Sequence, residues 1–208
     1  MHLASYLFNK GYQLTLVDIQ PFDKKEYSQN HRLELCDIRD KNKLDDLIKG
    51  VDIIIHAAAA LPLWKKEDIL STNVNGTRNI LDLSRKYKIK RVIFISSTAV
   101  YGVPKKHPIE EDDPRIGVGP YGQSKIEAED LCFKAIKQGL NVTIIRPKTF
   151  VGTGRLGVFE ILFDWIHDGK KIPVIGNGKN RYQLLDVDDL VETIYLFCLE
   201  NKEMKLKK

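Results

Sequence analysis

Tyr121 and Lys125, in the run Tyr121-Gly122-Gln123-Ser124-Lys125, are four residues apart, so a helix would carry both on one face. A tyrosine hydroxyl ordinarily titrates near pH ~10, too high for a proton acceptor at neutral pH, and a neighbouring ammonium favours the phenolate. The pair therefore predicts a general base, Tyr121, activated by Lys125. Ser96-Ser97-Thr98 closes the apolar run Arg91 to Ile95, and a hydroxyl at Ser97 would hold a substrate oxygen while Tyr121 exchanges its proton. Tyr-x-x-x-Lys also arises by chance on exposed helix faces; its position after a strand ending in Ser97 makes it a candidate centre.

Elements that would position these groups alternate along the chain. Helical patterns cover Leu3 to Asn9, Lys43 to Lys49, Thr72 to Tyr87 and Tyr121 to Gln138; strand-like runs cover Gln13 to Val17, Asp52 to Ile55, Arg91 to Ile95 and Val142 to Ile145. This alternation predicts an α/β fold, a doubly wound parallel sheet of the Rossmann-like kind, over residues 1–150. After Pro147 the rhythm changes. A helix is expected over Phe159 to Asp168, strands at Ile172 to Ile175 and Arg181 to Val187 around the Gly176-Asn177-Gly178 turn, and a helix over Asp188 to Glu200. Residues 151–208 thus read as part of a smaller substrate-binding region and a returning helix.

Ligands of such sheets sit beyond the carboxyl ends of the strands. Asp18 closes the first strand, where a dinucleotide fold places an acid against the adenosine ribose. Ile19 and Gln20 beside it supply no cation for a 2′-phosphate, which favours NAD over NADP. Asp37 and Ile38 lie in a polar run that would touch an adenine edge, although polar loops are common. His56-Ala57-Ala58 ends the next strand with small residues that allow a flat ligand close to the backbone, and tight helix packing explains them equally well. His56 itself reads as a hydrogen-bonded scaffold.

Composition excludes several classes. The chain has 208 residues, 43% hydrophobic and 29% charged, with net charge +5, the balance of a soluble domain with one substantial core. Its basic residues are scattered apart from the Lys-rich end at 202–208, so no nucleic-acid footprint is expected. The apolar stretch Ile53 to Trp64 is too short to cross a bilayer, and Met1 to Lys10 does not read as a signal peptide. Cys36, Cys132 and Cys198 show neither a C-x-x-C pair nor metal-ligand spacing. Free thiols, no metal and a cytoplasmic location are expected.

With these residues assembled, the chain closely resembles the extended short-chain dehydrogenase/reductases, in particular the NAD-dependent epimerase/dehydratase family, of the UDP-glucose 4-epimerase-like kind. The resemblance runs from Leu3 to about Glu200. It rests on Leu16-Val17-Asp18, Asp37-Ile38, His56-Ala57-Ala58, Asn73-Val74-Asn75-Gly76-Thr77, Ser96 to Gly102, Pro120 to Lys125, Ile145-Arg146-Pro147 and Asp186-Val187-Asp188-Asp189. It implies that Ser97, Tyr121 and Lys125 are catalytic, with Asn73 supporting a proton relay. It further implies that Tyr121 and Lys125 contact NAD, Lys125 at the nicotinamide ribose, that Pro147 lies near the nicotinamide, and that Ser97, Thr98 and Arg181 meet the substrate. Arg181 reads almost as well as a surface cation.

Two departures from the family pattern accompany it. The first strand and its glycine-rich loop would precede Met1, and part of the substrate region would follow the last residue, so the chain reads as truncated at both ends and is expected to hold NAD weakly. Dehydratases of the family carry an Asp-Glu pair directly after the active-site Ser or Thr; here Thr98 and Ala99 stand there, which disfavours dehydration. The expectation is a sugar-nucleotide epimerase-like enzyme acting by transient hydride transfer. A hydroxysteroid-like secondary-alcohol dehydrogenase, walled by Leu61 to Trp64, and a truncated, non-catalytic binding fragment are the alternatives. The expected partner is a small molecule, a nucleotide sugar, and a homodimer is admitted.

Overall fold

The computed structural model describes residues 1–23, 25–27, 31–154, 159–174, 176–179 and 181–199. The Lys-rich end, Ile175 and Glu200 lie outside the described residues.

Five parallel strands form the main layer: β1 (Thr15–Asp18), β2 (Arg32–Leu35), β3 (Ile53–His56), β4 (Arg91–Ile95) and β5 (Val142–Ile145). They pair as β1-β2 and as β3-β4-β5, in two pieces with no ladder between them. The register sets His56 opposite Phe94 and Ile95 opposite Ile145, which aligns the carboxyl ends of β3, β4 and β5.

Alternation along β4 sends Val92 and Phe94 to one face and Ile93 and Ile95 to the other. Helices α2 (Lys41–Ile48), α4 (Thr77–Lys86) and α5 (Gly119–Lys137) cover the first face through Leu44, Leu47, Ile80, Leu83, Ala128 and Cys132. On the second face, α7 (Val187–Leu199) brings Leu190 and Ile194 onto Ile93. Helix α1 (His2–Asn9) packs beside α7, with Tyr6 edge-on to Tyr195 at 5.5 Å. Strands buried on both faces account for the unbroken apolar runs.

Two local expectations need correction. The helix expected from Thr72 begins earlier, as α3 (Lys66–Leu70), and runs through a π-helical turn, Ser71–Gly76, into α4. Gly76 is packed so tightly on the residues after β2 that a Cβ there would stand 2.4 Å from Cδ1 of Ile38. The strands expected at 172–175 and 181–187 are absent from residues 172–174 and 181–184. Only β7 (Leu185–Asp186) forms, parallel to β6 (Phe150–Val151), because the apolar residues around the glycine turn meet no partner strand. Helix α6 (Glu160–His167) precedes them and buries none of its side chains.

Candidate active site

Helix α5 starts after Val118, with Pro120 in its first turn, where the missing N–H costs nothing. Its entry is pressed against the 3₁₀ turn Thr98–Tyr101: a Cβ on Gly122 would meet the Ala99 carbonyl oxygen at 3.0 Å and Cα of Gly117 at 3.1 Å. Gly117 and Gly102 adopt φ of +57° and +66° to make this approach. The consequence is that the end of β4 and the first turn of α5 touch, which brings Ser97 to Tyr121.

Ser97 Oγ accepts from the Ala99 backbone N–H at 3.1 Å, which leaves its own hydrogen available to a second partner. Ser97 beside it draws the Tyr121 phenol pKa down, but burial is the larger influence and holds it above its ordinary value of 10.0. Activation of Tyr121 by the Lys125 ammonium, expected from the spacing, is therefore not the dominant effect. Lys125 is buried, donates to the Ile95 carbonyl at 3.0 Å, and keeps its Nζ 5.9 Å from the Tyr121 ring centre. Four-residue spacing put both on one face; burial then drew the longer side chain down onto the sheet, over Phe94 at 5.0 Å. Burial also lowers the Lys125 pKa from 10.5 to about 8.

Asn73 is buried in the π-helical turn. Its Oδ1 accepts from the Ala60 N–H at 2.8 Å, and its Nδ2 donates to the Ala60 carbonyl at 3.2 Å and to Ser124 Oγ at 2.9 Å. These contacts tie the segment after β3 to α5 between Tyr121 and Lys125. Thr77 Oγ1 donates to the Asn73 carbonyl at 2.6 Å, so His56 Nε2, 2.9 Å away, must be the donor to Thr77. Burial foremost, then the Lys125 charge, lowers the His56 pKa to about 3; it is a neutral scaffold residue.

The other expected positions are spread along the same sheet edge. Asp18 is exposed at the end of β1, its Oδ1 accepting from the Gln20 N–H at 2.9 Å. Asp37 is held by Arg39, with Nη2 to Oδ2 at 2.6 Å, and this hydrogen bond keeps its carboxyl below the ordinary range. Ile38 is buried, Ala57 and Ala58 are exposed, and Pro147 is buried, its carbonyl accepting from the Thr98 N–H at 3.1 Å. Arg181 is exposed, and no contact joins it to Ser97 or Tyr121. Leu61, Leu63 and Trp64 are exposed, Leu63 at 99%, so the wall expected from them does not form among the described residues.

Sequence reasoning missed the carboxylate behind this site. Glu129 is fully buried and bound by Ser96, Arg115 and Arg146. Its signal was available: it lies one turn beyond Lys125 on the face of Tyr121, and Arg146 closes β5.

The chain matches the profile of the NAD dependent epimerase/dehydratase family over residues 1–207. It belongs to that family. The uncharacterized protein y4nG of Sinorhizobium fredii is 41% identical over 74% of the chain and 39% of its own length. A UDP-N-acetyl-alpha-D-glucosaminuronate decarboxylase of Bacillus cytotoxicus is 33% identical over 92% of the chain and 65% of its own length. UDP-glucose 4-epimerase of Thermotoga maritima, solved with UDP-glucose, superposes with a TM-score of 0.85 at 23% identity, covering 96% of this chain and 70% of that one; this likeness establishes the shared fold. The chain spans less than two thirds of the length of these first two curated relatives. The Rossmann-like α/β fold expected from the alternation is thereby established. Among the described residues no helix is long and apolar enough to cross a membrane, and no cluster of ligating side chains suits a metal ion.

Proposed function

We propose that this chain carries the proton-transfer and nucleotide-binding half of an NAD-dependent, epimerase-like enzyme that acts on a nucleotide sugar. The observation that carries the reading is the meeting of Ser97 and Tyr121 at the carboxyl edge of a parallel sheet, above a buried Lys125. The residues present fit the two ends of NAD: an exposed carboxylate at Asp18 for the adenosine ribose, and an open, small-residue backbone at Ala57 and Ala58 leading to Lys125 and Pro147 for the nicotinamide end.

When bound, NAD supplies reversible hydride acceptance. The chain's own part is the proton. Tyr121 is the proposed acceptor for the proton of a sugar hydroxyl, and Ser97 would donate a hydrogen bond to the oxygen that remains. Lys125 stands beneath them as a positive charge, with its ammonium fixed by the Ile95 carbonyl, and Asn73 holds the Ala60 backbone and Ser124 in place. If the ketone were re-reduced on its opposite face, Tyr121 would return the proton to the oxygen and the carbon would be inverted.

Loss of water is disfavoured because the turn after Ser97 presents Thr98 and Ala99, while the buried carboxylate nearby, Glu129, is engaged by two arginines. The secondary-alcohol alternative loses its support with the exposure of Leu61 to Trp64. Absorbance at the reduced-nicotinamide band tests the reading: incubation with NAD and UDP-sugars should give epimerised sugar without net NADH. Stoichiometric NADH accumulation would reject epimerisation in favour of a dehydrogenase.

A further inference from the structure

Four hydrogen bonds converge on one fully buried carboxylate. Glu129 Oε1 accepts from Ser96 Oγ at 2.6 Å and from Arg146 Nε at 2.8 Å; Oε2 accepts from Arg146 Nη2 at 2.8 Å and from Arg115 Nη1 at 3.1 Å. The two bonds from Arg146 form the parallel fork that fits a carboxylate plane, and with four donors both oxygens are satisfied. Arg146 goes on to donate through Nη1 to Tyr101 Oη at 2.6 Å and to the Glu111 carbonyl at 2.8 Å. Arg115 donates through Nη2 to Asp130 at 2.7 Å.

What these partners are attached to matters more than their number. Ser96 immediately precedes Ser97; Arg146 immediately precedes Pro147; Tyr101 ends the turn that begins at Thr98; Glu129 lies on α5 one turn beyond Lys125. A single anion thus binds the end of β4, the end of β5, the turn after Ser97 and the helix that carries Tyr121. A buried ion pair of this kind is weak evidence for stability, because desolvation offsets most of its attraction, and replacement by apolar residues is often neutral. A hydrophobic contact could hold these elements together as well. It could not fix their relative positions to the few tenths of an ångström that a proton-transferring hydrogen bond needs, since directional hydrogen bonds set position and apolar contact does not.

We infer that Glu129 is a positioning residue for the proton-transfer pair, acting through Ser96 to hold the Ser97 hydroxyl against Tyr121. The inference rests on the reading of Ser97 and Tyr121 given above. It assigns Glu129 no contact with substrate or cofactor.

The test is nuclear magnetic resonance of the chain labelled with [¹³Cζ]tyrosine at neutral pH, the Tyr121 resonance being identified by its loss in Tyr121→Phe. This carbon reports the hydrogen bonding of its own hydroxyl, which a purely stabilising role of Glu129 would leave alone. Ser97→Ala sets the direction of the shift on losing the Ser97 hydroxyl. Ser96→Ala, which removes one of the four bonds and leaves the arginine fork, should move the resonance in that direction by a fraction of the Ser97→Ala shift, and Glu129→Gln should move it further. Ser96→Thr, which restores a hydroxyl, should return it. A Tyr121 resonance unmoved in Ser96→Ala, with Ser97→Ala shifted, would overturn the positioning role and leave the proton-transfer reading intact. A resonance unmoved in Ser97→Ala would overturn the Ser97–Tyr121 contact, and both conclusions with it.

Discussion

Helices α5 and α6 invert the usual relation between composition and burial. Helix α5 is rich in glutamate and lysine, yet buries seven residues, among them Ser124, Lys125 and Glu129. Helix α6, Glu-Ile-Leu-Phe-Asp-Trp-Ile-His, is more apolar and buries none; Ile161, Phe163 and Ile166 are each at least half exposed. The difference lies in what each helix meets. Helix α5 lies on β4, β5 and α4, and each of its buried polar groups has a partner: Glu129 two arginines and Ser96, Lys125 the Ile95 carbonyl, Ser124 the Asn73 amide. Helix α6 meets no comparable surface among the described residues. Burial follows from available surface and satisfied hydrogen bonds, and hydrophobicity alone decides neither.

The contrast can be broken or sharpened by substitution on each helix. The largest effect is expected at Tyr121. Tyr121→Phe removes the exchanging hydroxyl and should lower turnover of a nucleotide sugar about 10²–10⁴-fold, while calorimetric NAD affinity stays nearly unchanged. Near-normal turnover would remove Tyr121 from the proton path.

Glu129→Ala leaves Arg146 and Arg115 facing a buried void and should cost about 3–5 kcal/mol in urea unfolding. A loss below about 1 kcal/mol would mean that solvent enters the clamp and replaces the carboxylate, against its complete burial.

Lys125 makes a pH-dependent prediction. Its pKa in the folded chain is about 8, below the 10.5 of an unfolded lysine, so between these values the unfolded chain binds more protons and stability must rise with pH. The rise should begin near pH 8, finish near pH 10.5 and amount to about 2–3 kcal/mol for this side chain, which is 3% exposed. Comparing unfolding of wild type and Lys125→Met across that window isolates it. Equal slopes in the two proteins would show that Lys125 does not bear the burial assigned to it.

A smaller effect is expected where α5 enters. Gly122→Ala places a methyl against the Ala99 carbonyl and Gly117, backbone that cannot rotate away, and should destabilise by about 1–3 kcal/mol. An unchanged melting curve would show that the turn after Ser97 yields easily. The smallest effect is expected on the other helix: Ile161→Ser in α6 should change stability by no more than about 0.5 kcal/mol. A loss of 2 kcal/mol would reveal a packed partner for α6.

Much of the fold was legible in the sequence because β3, β4 and β5 pack on both faces. Such strands leave unbroken apolar runs, and β4 and β5 were placed to the residue by that signal alone. The candidate centre was legible for a different reason: Tyr121 and Lys125 share a helical period, and Ser97 closes a strand, so local geometry was enough to nominate them. Family membership was carried by short motifs in order, each of which is local. By itself, then, the sequence determined the α/β alternation and the parallel architecture and nominated the candidate residues, while β2, with Arg32 and Glu34 among its four residues, and the two-residue β6 leave no apolar run to read.

Tertiary structure decided how those residues act on one another. Whether Lys125 charges the Tyr121 environment or sinks beneath it depends on the depth of the sheet below α5, which no spacing encodes. The same is true of the strands expected around Gly176: a strand exists only where a partner lies in register, and residues 172–174 meet none. Glu129 is the clearest instance. On a helical wheel it is one more acidic residue, and only the convergence of Ser96, Arg115 and Arg146, brought together from 14 to 33 residues away, turns it from a solvated charge into a buried one, because a carboxylate can leave water only when protein donors replace the hydrogen bonds it gives up.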